Sequence, residues 1–173
     1  MWRDTRVSNA SSEPQAGVDL VAIEQLLYRY SDVVTRGAWD EDEALFVADA
    51  VLEIGSPFDA RVEGVQAILD YRKASARFDF LIHTTYSPAI RLLGTGHAKA
   101  TSQTREMVRD RAGTSDAAGE PAAGLNIEFY SVYYDDVLKV DGHWKFAHRR
   151  CQPIYMEAGG LTGQALTARP SLR

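Results

Sequence analysis

Residues 125–155 read LNIEFYSVYYDDVLKVDGHWKFAHRRCQPIY, and this stretch decides the fold. Two runs rich in β-branched and aromatic residues, 125–140 and 144–155, flank the dipeptide Asp141-Gly142. An Asp-Gly pair between two such runs is typical of a tight β-hairpin turn. We therefore predict two long antiparallel strands joined by this turn.

A second pair of strands precedes this hairpin. Residues 80–93 and 98–108 are rich in strand-forming side chains, and Gly94-Thr95-Gly96 separates them as a second hairpin signal. The Gly-, Ala- and Asp-rich residues 109–124 are predicted to form a long surface loop between the hairpins. Residues 50–54 predict a further short strand.

The chain begins with helical patterns. Over residues 18–36, apolar side chains recur at three- and four-residue spacing, which predicts an amphipathic helix whose start Asp19 could cap. Shorter helices are predicted at about residues 40–47 and from Gly64 onward. Helices followed by long strands predict an α+β fold, a cone-shaped curved antiparallel sheet wrapped around the N-terminal helices as an α+β barrel. The mouth of such a cone would hold a mostly apolar ligand.

The bulk composition indicates one domain. The chain has 173 residues, of which 45% are hydrophobic and 25% charged, close to the averages of soluble domains. Residues 1–17 and 158–173 are polar or small, and we expect a flexible N-terminal arm and a flexible C-terminal tail there. The domain itself is expected to span residues 18–157.

Charge and cysteine content exclude several classes of partner. The net charge is −5, without a block of Lys and Arg, which argues against a nucleic-acid partner. No apolar run approaches the roughly 20 residues of a membrane helix, so no membrane association is expected. Cys151 is the only cysteine, which fits a reducing cytoplasm.

His83 is the first candidate for chemistry. It lies at the start of a strand in apolar, β-branched surroundings, and an imidazole titrates near neutral pH, as acid/base catalysis requires. A core histidine bonded to a backbone carbonyl is the other interpretation. Closing the hairpin brings residues 106–108 across from His83, so Glu106 could orient the imidazole. A one-residue slip would instead turn Glu106 to the other face, beside Arg105 or Arg91.

Further candidates come from side-chain alternation. Tyr30 belongs to the apolar stripe of the first helix, either as a core tyrosine or as a proton donor. Alternation along 125–140 predicts one pocket-facing set: Phe129, Ser131, Tyr133, Asp135 and Val137. Of these, Tyr133 and Asp135 are the polar members. On the last strand, His148 should share a face with Trp144 and Phe146, which makes it a weaker pocket candidate.

Cofactor and metal motifs are missing from the sequence. It contains no Gly-rich phosphate loop, no GxSxG and no HExxH, and its four histidines follow no ligand spacing. We expect neither a cofactor nor a metal.

Taken together, the segments between residues 18 and 155 resemble the SnoaL-like family of the nuclear-transport-factor-like superfamily. That group includes polyketide cyclases, scytalone dehydratase, bile-acid dehydratase and ketosteroid isomerase-like folds. The matching segments are residues 22–30, Trp39, residues 46–49, Gly64 with Ile68, His83 with Pro88 and Ile90, and residues 140–146.

The resemblance implies roles for several residues. His83 matches the general base of the family's dehydratases, Tyr30 matches the bile-acid dehydratase pattern, and Glu106 stands where that pattern has an aspartate. Many members carry an acidic residue four positions before the tryptophan, where this chain has Thr35. A threonine cannot ionise, so no histidine–carboxylate dyad is expected from the first helix. The predicted substrate contacts are Thr35, Trp39, Tyr86, Tyr133, Asp135 and His148.

Two functions follow from these residues. The first is a cofactor-independent lyase or isomerase, of dehydratase or cyclase type, acting on a hydrophobic polycyclic or polyketide-like substrate. In it His83 abstracts a proton next to a carbonyl, Glu106 orients His83, and Tyr30 or Tyr133 donates a hydrogen bond. The alternative, favoured by Thr35, is a non-catalytic ligand-binding protein or a small subunit supporting an oxygenase. The resemblance also implies a homodimer or higher homo-oligomer formed through the outer sheet face.

Overall fold

Helices precede most of the strands along the chain. A computed structural model describes residues 13–73, 78–110 and 125–159. The helices are α1 (Glu13–Arg36), α2 (Trp39–Asp42), followed by a 3-10 turn (Glu43–Leu45), and α3 (Val65–Lys73). The strands are β1 (Phe46–Ile54), β2 (Ala60–Glu63), β3 (Phe78–Leu92), β4 (His97–Asp110), β5 (Leu125–Val140) and β6 (His143–Ala158).

All six strands form one curved, open sheet in the order β2-β1-β6-β5-β4-β3. The predicted α+β class with a cone-shaped sheet around the helices is confirmed. One detail of the prediction is wrong, because β1 pairs with β6 in the parallel direction. These two strands are not joined by a hairpin, so no turn forces them to run in opposite directions.

Both predicted hairpins are present. At the β5–β6 turn, Asp141 and Gly142 have φ angles of 51° and 82°, the left-handed values that an Asp-Gly turn requires. At the β3–β4 turn, the Leu93 N–H donates to the His97 carbonyl at 2.8 Å. The turn chemistry in the sequence therefore determines where each of the two hairpins closes.

Element boundaries differ from the prediction at several places. Helix α1 begins at Glu13, within the predicted arm, and β6 includes Ala158, the first residue of the predicted tail. The second helix ends early and β1 begins at Phe46, whose buried ring lies 5.3 Å from that of Phe146. This tertiary contact overrides the local helical pattern. Residues 1–12, 111–124 and 160–173, which hold most of the predicted arm, loop and tail, lie outside the described residues.

The core lies between α1 and the concave face of the sheet. From α1, the buried stripe contains Ile23, Leu27, Tyr30 and Val34, at the spacing of one helix face. The sheet contributes five core side chains that are each at most 2% exposed: Phe46, Leu52, Val108, Val137 and Phe146. Burial of each such side chain stabilises the fold by about 1.5 to 3 kcal/mol.

Asp19 fixes α1 to the β5–β6 hairpin. Because α1 begins at Glu13, the prediction that Asp19 could cap the helix is wrong, and its carboxylate is buried within the second turn. Its Oδ1 accepts hydrogen bonds from Lys139 Nζ at 2.7 Å and from Trp144 Nε1 at 3.0 Å. The Lys139 hydrogen bond is the main cause that lowers the pKa of Asp19.

Replacing Asp19 should destabilise the whole domain. Asp19→Ala leaves Lys139 and Trp144 Nε1 without their acceptor, so we expect a loss of about 3 kcal/mol in the free energy of unfolding. Asp32→Ala is the control, because Asp32 forms an exposed ion pair with Arg36 on the same helix, and such pairs contribute about 0.3 to 0.5 kcal/mol. Urea unfolding of both variants checks the difference, and equal losses would contradict the anchoring role of Asp19.

Among residues 13–73, 78–110 and 125–159, no helix combines the length and the apolar character needed to cross a membrane.

Candidate active site

A cavity of about 290 Å³ opens between the concave sheet face, α1 and α3. Its apolar walls include Val34, Ile54, Phe58, Phe78, Leu81 and Phe129. Its polar members include Arg72, His83, Thr104, Glu106, Ser131 and Tyr133. Mostly apolar walls with a few converging polar groups are typical of small-molecule sites, and this volume lies near the lower end of their range.

His83 and Glu106 face each other across the β3–β4 pair. They are direct register partners, and both line the cavity. The His83 N–H and C=O both bond to a side chain of α1 rather than to β4, so His83 and Glu106 form a non-hydrogen-bonded pair. In antiparallel sheets the side chains of such pairs approach most closely. The carboxylate and the imidazole therefore share one end of the cavity.

Thr35 supplies the bonds to the His83 backbone. Its Oγ1 accepts from the His83 N–H at 3.0 Å and lies 3.2 Å from the His83 carbonyl oxygen, to which it donates. Thr35 thus holds the strand position of His83 rather than its imidazole, and it does not line the cavity. The substrate contact predicted for Thr35 is not part of this arrangement.

The imidazole of His83 is instead contacted by Ser31, one turn earlier on α1. Ser31 Oγ lies 2.9 Å from His83 Nδ1 and 2.5 Å from Thr85 Oγ1. His83 Nε2 is buried and has no hydrogen-bond partner in the described part of the chain. Burial, with the positive charges of Arg149 and Arg72 as further causes, lowers the pKa of His83 well below its usual value. The imidazole is therefore neutral at neutral pH.

Arg72 lines the cavity and separates it from Tyr30 and Trp39, which were predicted to be site residues. Its Nη1 donates to the hydroxyl of Tyr30, which is fully buried behind the cavity wall. The Arg72 guanidinium also lies 5.4 Å from the Trp39 ring, and its Nε lies 3.6 Å from Asp42 Oδ2. Neither Tyr30 nor Trp39 lines the cavity, whereas Arg72 does.

A second arginine, Arg149, is fully buried beneath the cavity. Its guanidinium carbon lies 3.9 Å from the ring centre of Tyr30 and 4.2 Å from those of Tyr133 and Phe146. Its Nη1 lies 3.5 Å from Asp135 Oδ2. Burial raises the pKa of Asp135 to about 6, although Arg149 opposes this shift. Asp135 faces inward as predicted but lies behind the wall, while Tyr133 lines the cavity.

The predicted position of His148 is wrong. The β5–β6 register shifts between Asp136 and Val137, so that Phe146 pairs with Val137 and His148 with Asp136. The extra residue, Ala147, reverses the alternation and turns His148 outward, where its Nε2 lies 3.2 Å from Glu53 Oε2. Arg149 takes the inward direction instead.

The prediction for Tyr86 is also wrong. On β3 the inward side chains are those of Leu81, His83 and Thr85, and strict alternation sends Tyr86 to the outer face, 45% exposed. Tyr86 therefore lies on the opposite face of the sheet from the cavity.

Two site residues that the sequence analysis did not select, Ser31 and Arg72, could have been recognised from their helical spacing. Ser31 follows Leu27 by four residues on the buried stripe of α1, and Arg72 follows Ile68 by four residues on that of α3. A polar side chain at such a position is directed towards the core. Arg149 carried no such signal, because the bulge at Ala147 cannot be read from the sequence.

Within the described ranges, no group of three or more His, Cys, Asp and Glu side chains is placed to hold a metal ion.

Comparison with known proteins identifies the family. Residues 18–150, well over half of the chain, match the family model of the SnoaL-like domain. The chain belongs to the SnoaL-like family. The predicted resemblance is thereby confirmed.

Solved structures support the SnoaL-like fold. A proposed scytalone dehydratase from Novosphingobium aromaticivorans DSM 12444 is 23% identical, with a TM-score of 0.71 over 94% of this chain and 99% of that one. A hexachlorocyclohexane dehydrochlorinase, LinA type 2, is 14% identical, with a TM-score of 0.75 over 90% and 99% of the two chains. LinA type 3 from Novosphingobium barchaimii LL02 is 15% identical, with a TM-score of 0.71 over 90% and 99%. At these identities the likeness shows the fold alone. No curated protein matches the chain.

The neutral, buried state of His83 predicts a pH dependence of stability. Below about pH 6.5 the unfolded chain protonates this histidine while the folded chain does not, so the folded state loses stability as pH falls. The advantage of wild type over His83→Gln should be constant above about pH 7.5 and should fall by about 1.4 kcal/mol per pH unit below pH 6.5.

Urea unfolding at several pH values tests this expectation. The carboxyl of Asp135, with its raised pKa, shifts stability in the opposite direction, but it is present in both proteins and cancels in the comparison. His143→Gln, at an exposed position in the β5–β6 hairpin, is the control. Parallel pH profiles for wild type and His83→Gln would contradict the depressed pKa.

Proposed function

We propose that this SnoaL-like protein is a cofactor-free lyase or isomerase, of dehydratase or cyclase type, that moves a proton on a hydrophobic polycyclic or polyketide-like substrate. The observation that carries the proposal is the pair of His83 and Glu106, side by side on adjacent strands in a mostly apolar cavity. A neutral imidazole and a carboxyl group within one site can exchange a proton with the substrate at neutral pH.

The proposed reaction is an elimination beside a carbonyl. One member of the pair takes a proton from the carbon next to the carbonyl, and the C–H electrons pass to the carbonyl oxygen as an enolate. When the carbonyl re-forms, the bond from the next carbon to its hydroxyl group breaks, and the leaving oxygen takes up a proton to form water. Burial raises the pKa of Tyr133 well above its usual value, so its hydroxyl stays protonated and can donate to the developing charge.

The names of two structural neighbours favour an elimination. Both a dehydratase and a dehydrochlorinase are named for losing a small molecule from a substrate. Shared fold does not fix a reaction, so this support is an analogy. It agrees with the chemistry that His83 and Glu106 can perform.

The cavity supports a substrate of moderate size. A closed apolar cavity of about 150 Å³ accommodates benzene, and this cavity is roughly twice as large, at about 290 Å³. Phe58, Phe78 and Phe129 provide aromatic contact area for flat rings. Two fused rings therefore suit the space around His83.

A bicyclic β-hydroxyketone tests this function. 3-Hydroxy-1-tetralone loses water to give the keto form of 1-naphthol, whose tautomerised product can be followed by fluorescence. Wild type should accelerate this reaction, and His83→Ala and Glu106→Gln should each lower kcat/KM by roughly 100-fold or more, the usual contribution of an acid/base group. Full activity in His83→Ala would contradict the proposal.

Two controls accompany that measurement. Tyr86→Phe and His148→Gln change residues on the outer sheet face, so both should keep wild-type activity. Deuterium uptake from heavy water by 1-tetralone separates proton abstraction from loss of water. If wild type catalyses neither reaction, elimination from bicyclic ketones is excluded.

Assembly and location are part of the same proposal. The outer sheet face carries four exposed tyrosines, Tyr86, Tyr130, Tyr134 and Tyr155, each at least 39% exposed. Clustered exposed aromatic residues of this kind favour a protein–protein interface, and we assign the face to a homodimer.

The single cysteine of the chain, Cys151, suits the reducing cytoplasm.

A charge placed on this face should prevent pairing. Tyr134→Asp should convert the dimer to a monomer in light scattering after size exclusion, because a carboxylate would be buried without a partner. Tyr28→Asp, at an exposed tyrosine of α1, is the matched control and should leave the mass unchanged. A monomeric wild type would rule out the interface.

A further inference from the structure

The hydroxyl groups around His83 determine where its single proton lies. Thr85 Oγ1, Ser31 Oγ and His83 Nδ1 form a chain of two hydrogen bonds, at 2.5 and 2.9 Å. All three side chains are buried, at most 8% exposed. Two hydroxyl protons and one imidazole proton must be distributed over this chain and over Nε2.

One distribution uses both hydroxyl protons. If Thr85 donates to Ser31 and Ser31 donates to Nδ1, each hydroxyl proton has an acceptor, and the imidazole proton lies on Nε2. Among Thr85, Ser31 and His83, only the Nε2–H group then lacks a hydrogen-bond partner in the described part of the protein. Since His83 lines the cavity, a ligand can supply that acceptor.

The opposite distribution leaves more groups unpaired. If Nδ1 carries the proton and donates to Ser31, one hydroxyl proton of Ser31 or Thr85 has no acceptor among the described residues, and the Nε2 lone pair has no donor. Both distributions leave one donor unpaired, and the opposite one also leaves the Nε2 acceptor unpaired, which costs about 1 to 3 kcal/mol for a buried group. A carboxylate in place of Ser31 would favour this opposite state, because a carboxylate only accepts hydrogen bonds.

We infer that neutral His83 carries its proton on Nε2 and acts as the hydrogen-bond donor of the site, and that Glu106 is the base that removes the substrate proton. Ser31 and Thr85 are positioning residues that select this tautomer. The assignment rests on the proposed function, and it exchanges the two roles that the family resemblance implies. A neutral imidazole can polarise a carbonyl in this way without titrating.

The step balances with these two side chains alone. The Glu106 carboxylate takes the proton from the carbon next to the carbonyl, while the enolate oxygen accepts a hydrogen bond from Nε2–H. When the carbonyl re-forms and the C–O bond breaks, the leaving oxygen takes the proton back from the Glu106 carboxyl group and departs as water. Glu106 returns to its carboxylate form, and His83 stays neutral throughout.

Nitrogen NMR of the full-length protein tests the tautomer without any substrate. In protein labelled with ¹⁵N in its histidine rings, long-range proton–nitrogen correlations at neutral pH distinguish a protonated, pyrrole-type nitrogen from an unprotonated, pyridine-type one. His83→Gln identifies the His83 signals. We expect a pyrrole-type Nε2 and a pyridine-type Nδ1 in wild type. A proton on Nδ1, a doubly protonated ring or an equal mixture would overturn the assignment.

Two variants of Ser31 show whether it selects the tautomer. Ser31→Asp should move the proton to Nδ1 and make Nε2 pyridine-type, whereas Thr84→Val, on the outward face of the same strand, should leave the signals unchanged. Ser31→Ala removes the donor and should give a mixture of both tautomers. A spectrum of Ser31→Ala identical to that of wild type would overturn the role of Ser31.

The test separates this inference from the function on which it rests. If wild type does not dehydrate 3-hydroxy-1-tetralone, the proposed function is refuted, but the inference about the His83 tautomer still stands. An active wild type with its proton on Nδ1 would refute the inference alone. For the active protein, Ser31→Ala should lower kcat and leave KM unchanged, because it disturbs the group that stabilises the enolate.

Discussion

The two hydrogen bonds between Thr35 and the backbone of His83 hold the site together. Strand β3 is an edge of the sheet, so the N–H and C=O groups on its outer side have no neighbouring strand. A single hydroxyl from α1 satisfies both groups of His83. This bond fixes the distance between helix and strand at the position where the imidazole enters the cavity. The contact of Ser31 with Nδ1 depends on it.

Buried charge is the second constraint on this molecule. Arg72, Arg149, Asp42 and Asp135 all lie within the core or at the cavity wall. Isolated charges would be costly there, and the rings of Tyr30 and Tyr133 around Arg149, together with Asp135, provide compensation. Burial, together with the positive charges of Arg149 and Arg72, keeps His83 neutral, so the polar core and the state of the candidate site are linked.

Much of the fold could be predicted, because it follows from local patterns. The Asp141-Gly142 turn and the apolar spacing of α1 are properties of short segments, and so is the hairpin register that sets Glu106 against His83. The short strand β2 and the early start of β1 at Phe46 depend on contacts between distant segments, which no local pattern contains. The same distinction holds for the site, since Arg149 faces inward only because of a register change near the start of β6.

That register change at Ala147 gives β6 two faces that alternate differently on either side of it. Before it, even-numbered side chains such as Phe146 point into the core; after it, odd-numbered ones such as Arg149 do. Ala147 therefore sets the phase of β6 from His148 to Pro153, beyond which the register shifts once more. Regular pairing of β6 without this bulge would turn His148 towards the rings of Tyr30, Tyr133 and Phe146 and direct the Arg149 guanidinium to solvent. A local departure from regular strand pairing therefore decides which basic side chain the core contains, without any substitution of a charged residue.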